Sequence, residues 1–201
     1  HSLGEYSALV CAGVIDFEEA VETVRKRGEL MNAAVPNGEG GMAALMGLED
    51  AVVVECCEKA EGTVSPANYN APGQVVISGE AGAVDRAIEI AKELGAKRAV
   101  KLEVSGPFHS QLMLSAKDEF SAHLDKVTFK EPSIPVIQNV DAEIQTDLGR
   151  IRSNLIEQLT APVMWSSIMV KMIDVGVEKI VECGPGSVLR GLAKRVSRDL
   201  E

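Results

Sequence analysis

Apolar and small residues run through LGEYSALVCAG, the pattern of a buried helix over residues 2–12 that ends near Gly13. Asp16 then has the chemistry of an N-cap, with Glu19 three residues on as in a capping box. The helix it would start carries Phe17, Ala20, Val21, Val24 and Met31 at helical spacing, and Arg27 falls on the same apolar stripe. Residues 36–41, rich in Pro and Gly, break the chain. Short apolar runs at 42–48, 74–79 and 98–104 read as strands, separated by amphipathic helices at 50–60 and 81–95, the latter stopped by Gly95. Beyond Pro107 the pattern predicts helices at 111–126, 150–159, 165–175 and 187–198, with strands near 134–139 and at 178–182.

The order β-α-β-α-β in the middle, with Gly and Pro at both ends, predicts a small ferredoxin-like unit over 39–105 inserted into a larger domain. That larger domain comprises 1–38 and 106–201, where strands alternate with helices, so an α/β layer with a largely parallel sheet is expected.

Composition narrows the function classes. The 201 residues include 46% apolar side chains but only 3% aromatic ones, so the core must be mostly aliphatic. Net charge is −10 and no basic stripe runs along the chain, which argues against a nucleic-acid partner. The four cysteines (Cys11, Cys56, Cys57 and Cys183) have neither disulfide-framework nor zinc-ligand spacing. Reduced thiols in a cytoplasmic protein are expected, with no metal and no cofactor. No apolar run reaches the ~18 residues of a membrane span. The chain begins at His1, inside a motif rather than at Met, so an N-terminal segment is expected to be missing.

Three side chains invite chemistry. Ser2 stands in H-S-L-G, the latter part of a G-x-S-x-G nucleophile elbow, where a tight turn exposes the hydroxyl and a helix N-terminus offers N–H groups to an oxyanion. A helix-capping serine fits the same residues. Among three histidines, His1 adjoins the serine and should point elsewhere, and His123 sits in a polar, solvated stretch. His109, in S-G-P-F-H-S between a strand and a helix, is the candidate base; a structural histidine is the alternative. Arg27 on an apolar stripe either meets an anionic partner, a protein carboxylate or a substrate carboxylate matched to its fork, or snorkels to solvent beside Arg25 and Lys26.

Seven segments in order, HSLGEYSAL, RKRGELM, NYNAPGQVVISG, GPFHS, PVIQNVDA, EQLTAPVMW and ECGPGSVLRGL, resemble the malonyl-CoA:acyl-carrier-protein transacylase family of fatty-acid synthesis. The resemblance implies a partial α/β-hydrolase-like domain with a ferredoxin-like insertion. It implies Ser2 as acylated nucleophile, His109 as base and Arg27 as clamp for the malonyl carboxylate. Gln158 stands where the family orients the base through a backbone carbonyl, and the Leu3 N–H would be half of the oxyanion hole. Asn70 matches a position near the site mouth, Met31 falls among the substrate-binding positions, and Phe108 should crowd an α-methyl group and favour malonyl over methylmalonyl. The implied partners are malonyl-CoA and an acyl carrier protein, met by a monomer, with Lys194, Arg195 and Arg198 as a docking patch. The family's Gly-Gln-Gly-type loop, which supplies the other oxyanion donor, is absent, so these residues alone should be poorly active. A serine thioesterase or hydrolase and the acyltransferase domain of a polyketide synthase are the rival readings. The chain's end soon after the last helix favours a stand-alone enzyme. The Gly184-Pro185-Gly186 run reads as a turn opening the last helix, with a phosphate loop as the alternative.

Overall fold

The computed structural model describes residues 1–200. Helix α1 (Gly4–Cys11) follows Ser2 directly and ends in a Schellman motif. Gly13 takes φ +74° there, its N–H reaches the Val10 carbonyl, and the Val14 N–H reaches Leu9. Helix α2 (Phe17–Ala33) begins after Asp16, whose backbone is extended, but no capping box forms. The Asp16 carboxylate binds Lys130 Nζ, and Glu19 Oε1 accepts from the Thr128 N–H, so both acids tie the α2 start to the segment 126–130. The buried α2 face is Ala20, Thr23, Arg27 and Met31; Phe17 and Val21, expected on that stripe, are exposed.

Strands β1 (Gly40–Met46), β2 (Val64–Ala71), β3 (Gln74–Glu80) and β4 (Arg98–Lys101) form one sheet in the order β2-β3-β1-β4. All its pairings are antiparallel. Helices α3 (Asp50–Lys59) and α4 (Ala81–Glu93) complete a β-α-β-β-α-β unit. This is the ferredoxin-like arrangement. Strand β2 is the element that the pattern does not announce. It contains Pro66 and the polar NYN run, and it tolerates both because it lies at the sheet edge with register shifts at Pro66/Asn68 and Tyr69/Ala71. Period-two alternation divides the sheet: Ala43, Leu45, Val75 and Ile77 pack under α3 and α4. Met42, Ala44, Ala67 and Val76 face the other way, against Leu102 and Phe108.

The remaining elements are a 3₁₀ turn (Gln111–Met113), α5 (Leu114–Leu124), β5 (Val136–Ile137), β6 (Ile144–Gln145), α6 (Leu148–Glu157), α7 (Trp165–Asp174) and α8 (Val188–Val196). Tyr6, Leu9, Phe120, Ile151, Leu155 and Leu159 make the core joining α1, α2, α5 and α6. A second core unites α7 and α8 around Trp165 and Met169. The parallel sheet expected of this part is not formed by the described residues. Of 134–139 only β5 is a strand, paired in a hairpin with β6, and 178–182 is irregular. Strand geometry needs hydrogen-bonding neighbours, and neither stretch has a parallel one here.

The two parts are joined at the β2 edge. Tyr69 N–H donates to the Val163 carbonyl and Val163 N–H to the Ala67 carbonyl, a parallel bridge that docks the sheet beside the segment after α6.

Candidate active site

Ser2, His109, Arg27 and Gln158 converge although the chain separates them widely. The turn into α1 places Ser2 Oγ 2.9 Å from His109 Nε2. His109 holds φ +58°, a left-handed conformation that a bulky residue adopts only under constraint. That backbone carries the ring into the core, where it is 5% exposed. Next to it, Ser110 Oγ donates to the Pro107 carbonyl at 2.6 Å and fixes the turn. His109 Nδ1 lies 2.7 Å from the main-chain carbonyl of Gln158, which can only accept. The proton therefore sits on Nδ1, and Nε2 is left as an acceptor for the serine hydroxyl. Burial, then the charge of Arg27, push the His109 pKa down from 6.5 to about 4, against hydrogen bonds that the ring donates to the backbone, which raise it. The imidazole is thus neutral near pH 7, as a general base must be.

Arg27 is 8% exposed, which rules out snorkelling. Among the described residues its guanidinium bonds two neutral oxygens. Nη2 donates to Ser2 Oγ at 2.8 Å and to Gln158 Oε1 at 2.9 Å. Its carbon lies 5.6 Å from the centre of the buried Tyr6 ring, a cation–π contact. Its Nε is buried without a hydrogen-bond partner. A buried cation with a spare donor is set to take an anion.

These groups open on a cleft of about 440 Å³, lined by Met31, Met42, Asn68, Leu102 and Phe108 as well as Ser2, Arg27 and His109. Met31 sits one turn beyond Arg27 on α2, and Phe108 adjoins the base, so both form apolar wall. Asn70 is not in that wall. Its Oδ1 accepts from His1 Nε2 at 2.8 Å, while His1 Nδ1 accepts from the Ser2 N–H at 3.2 Å. His1 points away from the serine hydroxyl, its ring 5.5 Å from that of Trp165, and ties the nucleophile turn to strand β2. Leu3 caps the N-terminal end of α1, where first-turn N–H groups lack intrahelical partners.

Sequence reasoning missed Glu5, Tyr6, Asn68 and the side chain of Gln158. Glu5 had a signal: a lone acid inside an apolar helix three residues after Ser2 is as anomalous as Arg27. His123 is half-buried rather than solvated, bonded to Thr23 Oγ1 at 3.1 Å and stacked near Phe120. The Gly-Pro-Gly run is a turn. Glu182 from this same chain accepts from the Leu189 and Arg190 N–H groups of α8, so the helix start already has its anion. No cluster of three His, Cys, Asp or Glu side chains that could hold a metal occurs among the described residues. No helix among them is long and apolar enough to cross a membrane.

A serine hydroxyl, a neutral histidine held by a carbonyl and a buried arginine thus meet at one cleft. The family model described as acyl transferase domain matches residues 1–199. The chain belongs to the acyl transferase domain family. Within that family it is 52% identical over 198 residues to a malonyl CoA-acyl carrier protein transacylase of Salmonella typhimurium, covering 98% of this chain and 64% of the relative. A crystal structure of an acyl carrier protein S-malonyltransferase from Vibrio cholerae superimposes with a TM-score of 0.98 at 52% identity, covering 100% of this chain and 66% of that one. A type II polyketide-synthase acyl-carrier protein in complex with its malonyl-transacylase gives 0.97 at 48% identity, covering 100% and 65%. The chain spans about 64% of the length of the curated relatives it matches.

Proposed function

We propose that this acyl transferase chain moves the malonyl group from malonyl-CoA to the phosphopantetheine thiol of an acyl carrier protein, through a seryl acyl-enzyme, in cytoplasmic fatty-acid synthesis. The carrying observation is the buried Arg27 guanidinium, 2.8 Å from Ser2 Oγ and, among the described residues, with no carboxylate of its own. A hydrolase of neutral esters has no use for it. The malonyl names of the similar proteins support the acyl group, and the carrier-protein complex among them supports the second substrate. The unpaired cysteines agree with a reducing compartment.

In the first half-reaction His109 Nε2 takes the Ser2 proton as Oγ bonds the thioester carbon. The negative charge on the carbonyl oxygen falls to the Leu3 N–H at the start of α1. Collapse breaks the carbon–sulfur bond, and His109 returns the proton to the departing CoA thiolate. In the second half His109 takes the proton of the carrier thiol, the sulfur bonds the ester carbon, and as the carbon–Oγ bond breaks His109 returns the proton to Ser2 Oγ. Arg27, which lines the cleft beside Ser2, holds the free malonyl carboxylate throughout. Gln158 orients the base through its carbonyl, and Phe108 and Met31 shape the acyl wall.

Residues 39–105 act as a ferredoxin-like subdomain closing the cleft against the catalytic part, 1–38 and 106–201. Asn70 contributes by anchoring His1 rather than by touching substrate. Arg190, Lys194 and Arg198, gathered along one cleft, offer positive charge to an acidic carrier, whereas Arg195 is engaged with Gln74 Oε1. The test is mass spectrometry of the full-length protein after malonyl-CoA treatment. A malonyl ester on Ser2 that a carrier thiol discharges supports the reading. Steady CoA release with no acyl-enzyme makes it a hydrolase.

A further inference from the structure

The site contains a second buried ion that the reaction does not use. Glu5 is 3% exposed on α1, one turn from Ser2. Its carboxylate accepts from Gln138 Nε2 at 2.9 Å, the Asn139 N–H at 2.8 Å, Asn139 Nδ2, and Gln158 Nε2 at 2.9 Å. No cation bonds it directly. The one amide it shares with the active site is that of Gln158, whose Oε1 accepts from Arg27 Nη2. Two buried charges of opposite sign are thus bridged by a single neutral side chain.

The chemistry allows that amide only one orientation. A carboxylate can only accept and a guanidinium can only donate, so Nε2 must face Glu5 and Oε1 must face Arg27. The same residue's main-chain carbonyl accepts from His109 Nδ1. Gln158 therefore holds the base with its backbone and the cation with its side chain.

We propose that Glu5 is a positioning residue for acyl-group selection, polarising and locking the Gln158 amide so that Arg27 stands beside Ser2 ready for a carboxylate-bearing acyl group. The inference rests on the malonyl-transfer reading above. With Glu5 ionised, the amide carbonyl is fixed on Nη2 and the guanidinium plane is held beside Ser2. Without the charge the amide is free to turn, and its NH₂ would meet the N–H of Arg27. The carboxylate form suits the pocket because all four neighbours present N–H groups. Burial raises the Glu5 pKa, and those same donors oppose the rise.

The test uses the full-length protein, wild type and Glu5→Gln, with malonyl-CoA and acetyl-CoA as acyl donors and a fluorophosphonate as a probe of Ser2 alone. Glu5→Gln is expected to lower kcat/KM for malonyl-CoA about tenfold to a hundredfold, mainly through KM, the scale of one lost hydrogen bond to a charged group. Acetyl transfer and fluorophosphonate labelling should change less than about twofold, because neither uses the carboxylate clamp. Gln158→Met removes the bridging amide and should raise the malonyl-CoA KM as Glu5→Gln does, and the double variant should have a malonyl KM no higher than Gln158→Met alone. Should Glu5→Gln not fold, Glu5→Asp replaces it, with a smaller loss expected on malonyl-CoA and the same sparing of acetyl transfer and labelling. Parallel losses with both acyl donors and the probe, or an undiminished malonyl rate, overturn the proposal. A wild-type protein that forms no malonyl-Ser2 overturns the functional reading and the inference with it, whereas normal wild-type malonylation with parallel variant losses overturns Glu5 alone.

Discussion

The sheet unit and the helical part around Ser2 solve burial in opposite ways. In the sheet, Ala43, Leu45, Val75 and Ile77 fill one face with hydrocarbon, and the buried polar side chains are only Asn68, Asn70 and Ser78. Around the nucleophile the interior holds Glu5, Arg27, His109, Gln138, Asn139, Asn154 and Gln158 in one connected set of hydrogen bonds. Hydrocarbon packing is forgiving, because similar volumes substitute at modest cost. A buried polar network is not, since each partner removed strands another polar group. The first region is built for stability, the second for placing charges beside one hydroxyl.

The sharpest break in this contrast is Ser2→Ala. It should remove the acyl-enzyme and lower malonyl transfer by about 10⁴-fold or more, with little change in the thermal unfolding midpoint. His109→Ala should match it, and the double variant should lose little further, because the two act as a unit. If either single variant keeps transfer within tenfold of wild type, the Ser2–His109 pair is not the engine.

Arg27→Ala is next. Malonyl kcat/KM should fall about 10²–10³-fold while acetyl transfer does not follow, and Arg27→Lys should restore only part because an ammonium cannot copy the fork. Equal losses on both donors would dissolve the distinction between clamp and scaffold.

In the sheet the signature should reverse. Ile77→Ala, in the fully buried face, should cost about 2–5 kcal/mol in chemical denaturation yet leave kcat/KM of the folded enzyme within about twofold. A large catalytic effect there would mean that the two regions are not separable.

The pH response isolates the polar region. Folded His109 takes a proton only near pH 4, whereas unfolded His109 does so near its ordinary 6.5. Between those values the unfolded state binds more protons, so this group's contribution, on the order of 3 kcal/mol, is lost as pH falls from about 6.5 to 4. Arg27→Ala removes a neighbouring positive charge and should shift the acid limb of kcat/KM upward. An acid limb near 6.5 in the wild type would contradict the buried neutral base.

The smallest effect concerns acyl size. Phe108→Ala should narrow the preference for malonyl over methylmalonyl by about 1–3 kcal/mol of discrimination, measured as the ratio of kcat/KM values. An unchanged ratio would remove Phe108 from the acyl wall.

Legibility followed the same divide. β1, β3, β4, α3 and α4 were readable because apolar residues recur at strand and helix periods. β2 was not, because its fate depends on lying at an edge beside Val163. The Asp16–Glu19 capping box failed for a related reason: distant Lys130 and Thr128 compete for the same carboxylates. Ser2, His109 and Arg27 stood out as reactive or misplaced side chains. Glu5 was hidden in a helix that otherwise looked apolar, and the Gln158 side chain had no local peculiarity at all.

By itself the sequence determined the strongly periodic elements, β1, β3, β4, α3 and α4 among them, and marked Ser2, His109 and Arg27 as reactive or misplaced side chains. Those properties are local, set by side-chain periodicity and intrinsic reactivity. Only the tertiary structure decided that the Gln158 amide lies between Glu5 and Arg27, that a backbone carbonyl fixes the His109 tautomer, and that Arg27 faces inward. Such choices are settled by burial, where an unpaired charge costs far more than in water and the surrounding partners dictate one arrangement.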